Sequence, residues 1–503
     1  MNDSFRSRLS RLGVRLDRSS REWSRDDAAV EHPVRNPATG AELAKLPLAG
    51  SGDFARGIDA AHAAFPSWSA EASAIRGDVL KKTAALLASK RQDFAEILTL
   101  EQGKVLGQAL GEVDYAASFF QWFGEEARRP SGRLQPHPMR GREYRIKRVP
   151  AGVVGLVTPW NFPLAQGAKK IAAALAAGCT AVWKPSELTP FVALALGALM
   201  RDAGLPDGVM QVLPALGPVA GEALTGDPRV RVISFTGSTA TGRKLIASSA
   251  RFLPRLSLEL GGNAPFIILP DAELDDVVPE LVRLKLLCSG QVCVTANRVF
   301  VPRELEQALI EKLDAVWSKL KVGDGLDGST DVGPLIHSQA CARVQHLVDG
   351  AVSSGAEIVS GNCSHASTTL PVVGSFFAPV VIRGVRDDMA LVREEIFGPV
   401  LPLLCYADLA DAVRRANATE AGLSAYVYGR DLSLANAVAD ELEAGIVGVN
   451  EWRPLRSEIP FGGTKASGQG WEGGEEGLRE FLELKVISTP LPKLPLTGYR
   501  AAP

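Results

Sequence analysis

The chain has 503 residues, a length that corresponds to about three domain-sized units. Acids and bases nearly cancel, at 57 against 55 with a formal net charge of −2, so neither nucleic acid nor an anionic membrane is expected as a partner. No apolar run approaches the ~20 residues that span a bilayer, and the six cysteines show neither C-x-x-C spacing nor a metal-ligand cluster, which fits a reduced cytoplasmic setting.

The N-terminal segment is rich in arginine and serine (Arg6, Arg8, Arg11, Arg15, Arg18, Arg21, Arg25), and Phe5, Leu9, Leu12 and Leu16 fall on one helical face. Asp3, Asp17, Glu22 and Asp26 dilute its likeness to a targeting presequence. A short amphipathic helix packed on the body is the expectation. From about residue 152, short apolar runs alternate with helical stretches. Val153–Val157, Thr180–Lys184, Val209–Leu213, Val230–Thr236 and Leu256–Leu260 read as buried strands, and Leu164–Gly178 and Pro190–Gly204 as helices. Such β-α-β repetition implies a parallel sheet with helices on both faces. A second series follows Gly262. Its strands are Arg298–Val301, Ala378–Ile382, Leu401–Cys405, Ala425–Tyr428 and Ile446–Val449, and its helices Glu304–Leu320 and Gln339–Ser353. Two α/β lobes follow, and a cleft between them is a natural ligand site. Glu143–Val149 and Phe481–Ile487 are strand-like but belong to neither series, and are expected to form a small third sheet.

Several windows carry residue types suited to chemistry. In Thr158-Pro159-Trp160-Asn161-Phe162-Pro163 two prolines stiffen a turn and aim the Asn161 amide, a donor of the kind an oxyanion needs; Asn is also a common turn former. Trp183-Lys184-Pro185-Ser186-Glu187 ends a strand with a base and an acid three residues apart, a pair that could hold ribose hydroxyls or simply be solvated. Phe235-Thr236-Gly237-Ser238-Thr239-Ala240-Thr241-Gly242 opens a helix after a strand. Its glycines are expected to expose backbone N–H groups to a pyrophosphate, although such turns are common and no Walker-type Lys-Ser/Thr follows. Leu258-Glu259-Leu260-Gly261-Gly262-Asn263 sets a carboxylate at a strand end, suited to a general base or to binding loop amides. Gly290-Gln291-Val292-Cys293 gives one cysteine a close backbone approach, although a free cysteine is usually an inert core residue.

Together with Glu394–Val400 (EEIFGPV) and Pro460–Gly468 (PFGGTKASG), these windows resemble the aldehyde dehydrogenase superfamily, in the family's order and over roughly residues 30–490. The resemblance implies two Rossmann-like α/β lobes, for cofactor and catalysis, plus a small bridging β-sheet for oligomerisation. The expected divisions are 1–129 and 150–261 for NAD binding, 262–467 for catalysis, and 130–149 with 478–495 for bridging subunits into a homodimer or homotetramer. It implies Cys293 as nucleophile, Glu259 as general base, Asn161 as oxyanion donor and Lys170 as a lysine near the active site, with no catalytic metal. The cofactor is expected to be NAD, with NADP possible. Lys184 and Glu187 match the contacts to the adenosine ribose, Gly237 and Ser238 the cofactor turn, and Glu395 and Phe397 the nicotinamide end. Pro159, Trp160, Ser186, Gly217, Gly221, Phe235 and Leu260 complete the cofactor site.

Within the superfamily the chain is most similar to succinate-semialdehyde dehydrogenases, through Tyr115–Phe123, Ala296-Asn297-Arg298 and Gly448-Val449-Asn450-Glu451. It departs from them at Leu287 and Lys169, where they carry arginines, at Leu455 in the substrate loop, and at Trp471. Lys169, Arg453 and Arg456, with Trp122, are therefore the expected substrate residues, converging on a polar or carboxylate-bearing aldehyde. The bland alternative is that the two loop arginines point to solvent or pair with Glu451 and Glu458. A broad-specificity enzyme for aromatic or medium-chain aldehydes is one functional alternative, and a catalytically silent member of the fold another.

Overall fold

In the computed structural model, the strands Val153–Val157, Thr180–Lys184, Met210–Val212, Val230–Thr236 and Arg255–Glu259 form a parallel sheet. The structure describes residues 3–15, 24, 31–361, 371 and 373–491. Leu16, Asp17, Arg18, Arg21, Glu22, Arg25, Asp26 and Cys363, and residues 492–495 of the expected bridging segment, lie outside them. In space the strands run third, second, first, fourth, fifth, with Gly468–Gln469 added antiparallel at the edge. The order reverses between Val153–Val157 and Val230–Thr236, and a doubly wound sheet opens its ligand crevice at the carboxyl ends of such a pair. Thr158–Pro163 and Gly237–Ser238 leave the sheet there.

The helix Pro163–Ala177 starts on a proline and stops at Gly178, whose φ of 92° only glycine adopts cheaply. Every residue in it is buried, including Lys169 and Lys170. At Gly167 a side chain would collide with the Trp183 indole, so glycine lets this helix lie close on the sheet. Four helices, Ser51–Ala70, Ser73–Ser89, Arg91–Gln102 and Leu106–Glu126, precede it, and their Phe54, Leu80, Phe94 and Phe120 join Leu156, Ile171 and Trp183 in one core. The N-terminal amphipathic segment docks there as the helix Asp3–Arg11, with Phe5, Leu9 and Leu12 buried. Phe5 meets Phe191 edge-on at 5.3 Å, and Arg11 pairs with Asp93 at 2.7 Å. Burying one such ring contributes ~1.5–3 kcal/mol, more than the exposed ion pair beside it.

The second sheet has seven strands, ordered Glu357–Ser360, Val380–Arg383, Val400–Tyr406, Arg298–Pro302, Pro265–Ile268, Ser424–Tyr428, Ile446–Val449. All are parallel except the first. Pro265–Ile268, near its centre, follows the double glycine so directly that it reads in sequence as part of the turn. The third sheet is antiparallel and pairs Arg142–Pro150 with both Leu482–Pro490 and Arg133–Pro136, the last too polar to register as a strand in sequence. Leu134, Leu484 and Val486 stand exposed on it.

Lys285, on the helix Leu274–Leu286, is wholly buried, and its ammonium donates to the Ala296 carbonyl at 3.0 Å. Burial pushes its pKa down to about 7. Between that value and the ordinary 10.5 the unfolded chain binds the proton and the native one does not, so native stability rises with pH across this window. Lys285→Met should therefore stabilise the protein by ~1–3 kcal/mol at neutral pH. Thermal melts from pH 7 to above 10 should show the gap between variant and wild type closing; a constant gap would refute the account.

Candidate active site

After the helix Leu274–Leu286 the backbone turns sharply through Cys288, Ser289 and Gly290, with φ of 50°, 56° and 78°. Left-handed backbone is costly for the first two and must be held. Gln291 holds it, donating from Nε2 to the Cys288 carbonyl at 3.0 Å and accepting the Ile336 N–H on Oε1 at 2.9 Å. The Cys288 N–H donates to Gln108 Oε1 at 2.8 Å. Cys293 follows, half-buried among Phe162, Leu287, Val292, Val294, Leu455 and Phe461. The two glycine windows here have a steric meaning that the sequence did not reveal. A side chain at Gly262 would occupy the position of the Cys293 carbonyl, and one at Gly290 that of the Gly398 carbonyl. The space at Gly290 is thus filled by backbone, not substrate. Burial raises the Cys293 thiol to about 12; Glu395 and Glu259 add to the rise and Lys169 opposes it.

Asn161 lies 4% exposed on the stiff turn. Its Nδ2 donates to the Gln291 carbonyl at 2.9 Å, and Oδ1 is without a partner. A flipped amide would face oxygen with oxygen, so Gln291 sets the orientation and leaves the second N–H free. Glu259, at the end of its strand, is buried with neither carboxylate oxygen hydrogen-bonded. Burial, then the charge of Glu472, raises its pKa well above the ordinary value against the pull of Lys169 and Lys170. Those two lysines both form ion pairs with Glu472, one on each oxygen, and Lys170 also donates to Ser234 Oγ at 2.9 Å. Burial works to raise the Glu472 carboxyl, but the two ammonium groups outweigh it and hold it ionised.

At the carboxyl edge of the first sheet, Lys184 and Glu187 pair at 2.8 Å. Ser186 Oγ accepts the Leu188 N–H at 3.2 Å, and Thr158 Oγ1 accepts the Trp183 indole N–H at 2.9 Å. The Gly237 N–H is not exposed as expected: it donates to the Glu259 carbonyl at 3.0 Å, and the glycine instead leaves room for the Phe235 ring. Ser238 caps the helix Thr239–Ser248, accepting the Thr241 N–H at 3.3 Å. Gly217 opens the helix Gly217–Thr225 with free space around it, and Gly221 faces Leu245. Leu260 lies where a side chain at Gly242 would reach. Across the crevice, Glu395 accepts the Gly262 N–H at 3.2 Å, and burial raises its pKa to about 7. Phe397 has a φ of 55° and meets Trp160 edge-on at 5.5 Å. That loop is pinned by two residues without assigned roles in the sequence: Asn297 accepts the Ile396 N–H at 3.0 Å and donates to Asn263 Oδ1 at 2.7 Å.

The charges of the three expected bases all reach Tyr115, but they differ in how far they are engaged. The Lys169 charge is engaged by Glu472, with the Phe461 ring 4.0 Å away, because the helix buries Lys169 on the side of the acid. Arg453 lies 5.6 Å from the Tyr115 ring, and Arg456 is exposed and donates to the carbonyls of Arg453 and Leu455. Neither arginine pairs with an acid among the described residues; Glu451 accepts only the Arg453 backbone N–H, at 2.8 Å. Trp122 packs into the helical core, and the Arg129 guanidinium lies 5.9 Å from its ring. Tyr115 is the aromatic beside Arg453, with the charges of Lys169, Arg453 and Arg456 acting on its hydroxyl. Glu472, too, is absent from the expected set, because its partners are some 300 residues away and no local pattern marks it. Among the described residues no group of His, Cys, Asp and Glu could hold a metal ion, and no helix is long and apolar enough to cross a membrane.

Residues 23–487 match the aldehyde dehydrogenase family model, and the chain belongs to that family. It is an NAD(P)-dependent aldehyde dehydrogenase of mixed α/β fold with parallel, Rossmann-like sheets. It is 42% identical to the glutarate-semialdehyde dehydrogenase of Pseudomonas putida over 93% of this chain and 96% of that protein. The same identity and coverage relate it to the NADP(+) succinate-semialdehyde dehydrogenase GabD of Escherichia coli. Among solved structures, an NADP-dependent enzyme of E. coli superposes with a TM-score of 0.91 at 41% identity, covering 96% of this chain and 99% of that one.

Proposed function

We propose that the chain oxidises an acid-terminated aldehyde to the carboxylic acid through a thiohemiacetal and then a thioester on Cys293. The observation that carries this reading is Glu259, a buried carboxylate with neither oxygen bonded, whose charge reaches a half-buried thiol. An unsatisfied buried carboxylate costs stability, and such costs concentrate where a group must receive something transient. The Cys293 thiolate adds to the aldehyde carbon, and the free N–H of Asn161, with the Cys293 backbone N–H, stabilises the oxyanion. A bound nicotinamide supplies the hydride acceptor for the oxidation. Glu259 then takes a proton from the water that hydrolyses the thioester. Lys170, through Glu472, sets the charge around that base.

The crevice fits a dinucleotide. Thr236 Oγ1 is buried there without a partner, and the space at Gly217 lies open at a helix start. Lys184 and Glu187 would hold the adenosine ribose, Ser238, Gly217 and Gly221 would flank the pyrophosphate, and Glu395 and Phe397 would position the nicotinamide end. Pro159, Trp160, Ser186, Phe235, Gly237 and Leu260 form the walls.

For the substrate, Arg453, which has no acid partner among the described residues and lies beside Tyr115, supports a distal anion, and Arg456 adds positive charge nearby. The names of the relatives, which act on glutarate and succinate semialdehydes, point the same way. The apolar wall of Phe162, Leu287, Leu455 and Phe461 favours the second reading, a broad-specificity enzyme for aromatic or medium-chain aldehydes. The sheets support the division into 1–129 with 150–261, 262–467, and 130–149 with 478–495. Apolar Leu134, Leu484 and Val486 on the third sheet support its use in a homodimer or homotetramer.

Cys293→Ala should abolish oxidation while NAD still binds. Glu259→Gln should release about one NADH per active site and then stall, because the thioester forms but is not hydrolysed. In the wild type, turnover should fall as pH drops through the raised Glu259 value, since the protonated acid is no base. Sustained turnover by either variant would falsify the mechanism.

Arg453→Ala should reduce kcat/KM for a semialdehyde by about tenfold or more, and leave the uncharged aldehyde of equal length unchanged, as expected for a charge-assisted bond worth ~1.5–3 kcal/mol. Equal losses on both substrates would favour the apolar reading.

The Glu187 carboxylate should repel a 2′-phosphate, although Lys184 offsets part of its charge. A preference for NAD over NADP of about tenfold is expected from ~1.5 kcal/mol or more, narrowing in Glu187→Gln. Higher kcat/KM with NADP in the wild type would show the pair to be misread.

A further inference from the structure

Lys104 and Glu112 form an ion pair with no solvent exposure on either side chain, at the start of the Leu106–Glu126 helix and outside every motif considered above. Buried ion pairs contribute little net stability, because desolvation offsets the attraction. The geometry of this pair is more informative than its energy. The Lys104 ammonium also donates to the Asn161 carbonyl at 2.7 Å and lies 3.9 Å from the centre of the Phe162 ring. Glu112 Oε1 accepts the N–H groups of Leu164 at 2.9 Å and Ala165 at 3.1 Å. Those are the first free donors of the Pro163–Ala177 helix, which has no side-chain cap of its own. One ion pair therefore grips the chain on both sides of the Asn161-Phe162-Pro163 turn.

The same short segment reaches the nucleophile loop. Gln102 Oε1 accepts the Lys104 N–H at 2.9 Å, and its Nε2 lies 3.2 Å from Cys288 Sγ. Gln108 accepts the Cys288 N–H at 2.8 Å. Residues 102–112 thus touch both the backbone of Asn161 and the left-handed turn that leads to Cys293.

We infer that Lys104 and Glu112 are positioning residues, which fix the Asn161 amide relative to the Cys293 loop and so determine how well the oxyanion is held. This inference rests on the reading of Asn161 as the oxyanion donor. An oxyanion donor acts in the transition state more than in the ground state, so misplacing it lowers kcat and changes KM little.

The test is a double-mutant cycle on the full-length protein, with kcat expressed per thiol titrated by iodoacetamide. Asn161→Ala should lower kcat by about a hundredfold. Lys104→Met and Glu112→Gln should each lower it by about tenfold or more, with NAD binding and KM near wild type. In the Asn161→Ala background, Lys104→Met should cost less than about a further twofold, because the group it positions is gone. A purely structural role would lower the melting temperature and the titratable fraction without changing kcat per titrated thiol. Unchanged kcat per thiol, or losses that multiply in the double variant, would overturn the inference and leave the Asn161 reading standing. A wild-type kcat in Asn161→Ala would instead remove that reading itself. Should Lys104→Met fail to fold, the isosteric Glu112→Gln decides the question, since it keeps an acceptor for Leu164 and Ala165 and removes the charge and the acceptor that face Lys104.

Discussion

At Gly262 the chain leaves the first sheet for the second, and there the carbonyl of Cys293 fills the space where a side chain would begin. The link between the strands Arg255–Glu259 and Pro265–Ile268 is thereby packed backbone to backbone against the Cys293 loop. Glu259 lies three residues before this contact and Cys293 within it. The Gly262 N–H also donates to Glu395, so the same glycine ties in the loop that carries Phe397. A residue with a Cβ here would collide with the Cys293 carbonyl and force this link and the Cys293 loop apart.

The buried charges form a second level of organisation. Lys169, Lys170 and Glu472 form a buried cluster in which each lysine meets one oxygen of the carboxylate. The charges of Lys169 and Lys170 pull against the burial, and the charge of Glu472, that raise the Glu259 pKa. A base so balanced is ionised over a range set by its neighbours and not by the ordinary carboxylate value. Lys169 is thus engaged by Glu472 and acts on Glu259, whereas Arg453 lies beside the Tyr115 ring with no acid partner among the described residues.

Strain and polar networks occur together around this centre. Cys288, Ser289 and Phe397 adopt left-handed backbone, and each turn is over-determined by side chains that bond to main chain. Gln291, Asn297 and Asn263 do this on the second lobe, and Lys104 and Glu112 on the first. Side chain–backbone bonds of this kind help to hold loops in unfavourable conformations.

Much of this was legible in the sequence. The apolar runs Val153–Val157, Thr180–Lys184, Val230–Thr236 and Ile446–Val449 are strands over the expected residues, because burial on both faces demands continuous apolar sequence. The motif windows likewise carried the family. Pro265–Ile268 was hidden because a strand that starts straight after two glycines has no flanking signal. The roles of Glu472, Lys104, Glu112 and Tyr115 were decided only by tertiary structure. Each acts through a partner distant in the chain or through a charge whose neighbours come from several elements. The reason is physical: local sequence dictates backbone conformation and which face is apolar, whereas the pairing of a buried charge depends on which side chains the folded lobes bring within a few ångströms of it.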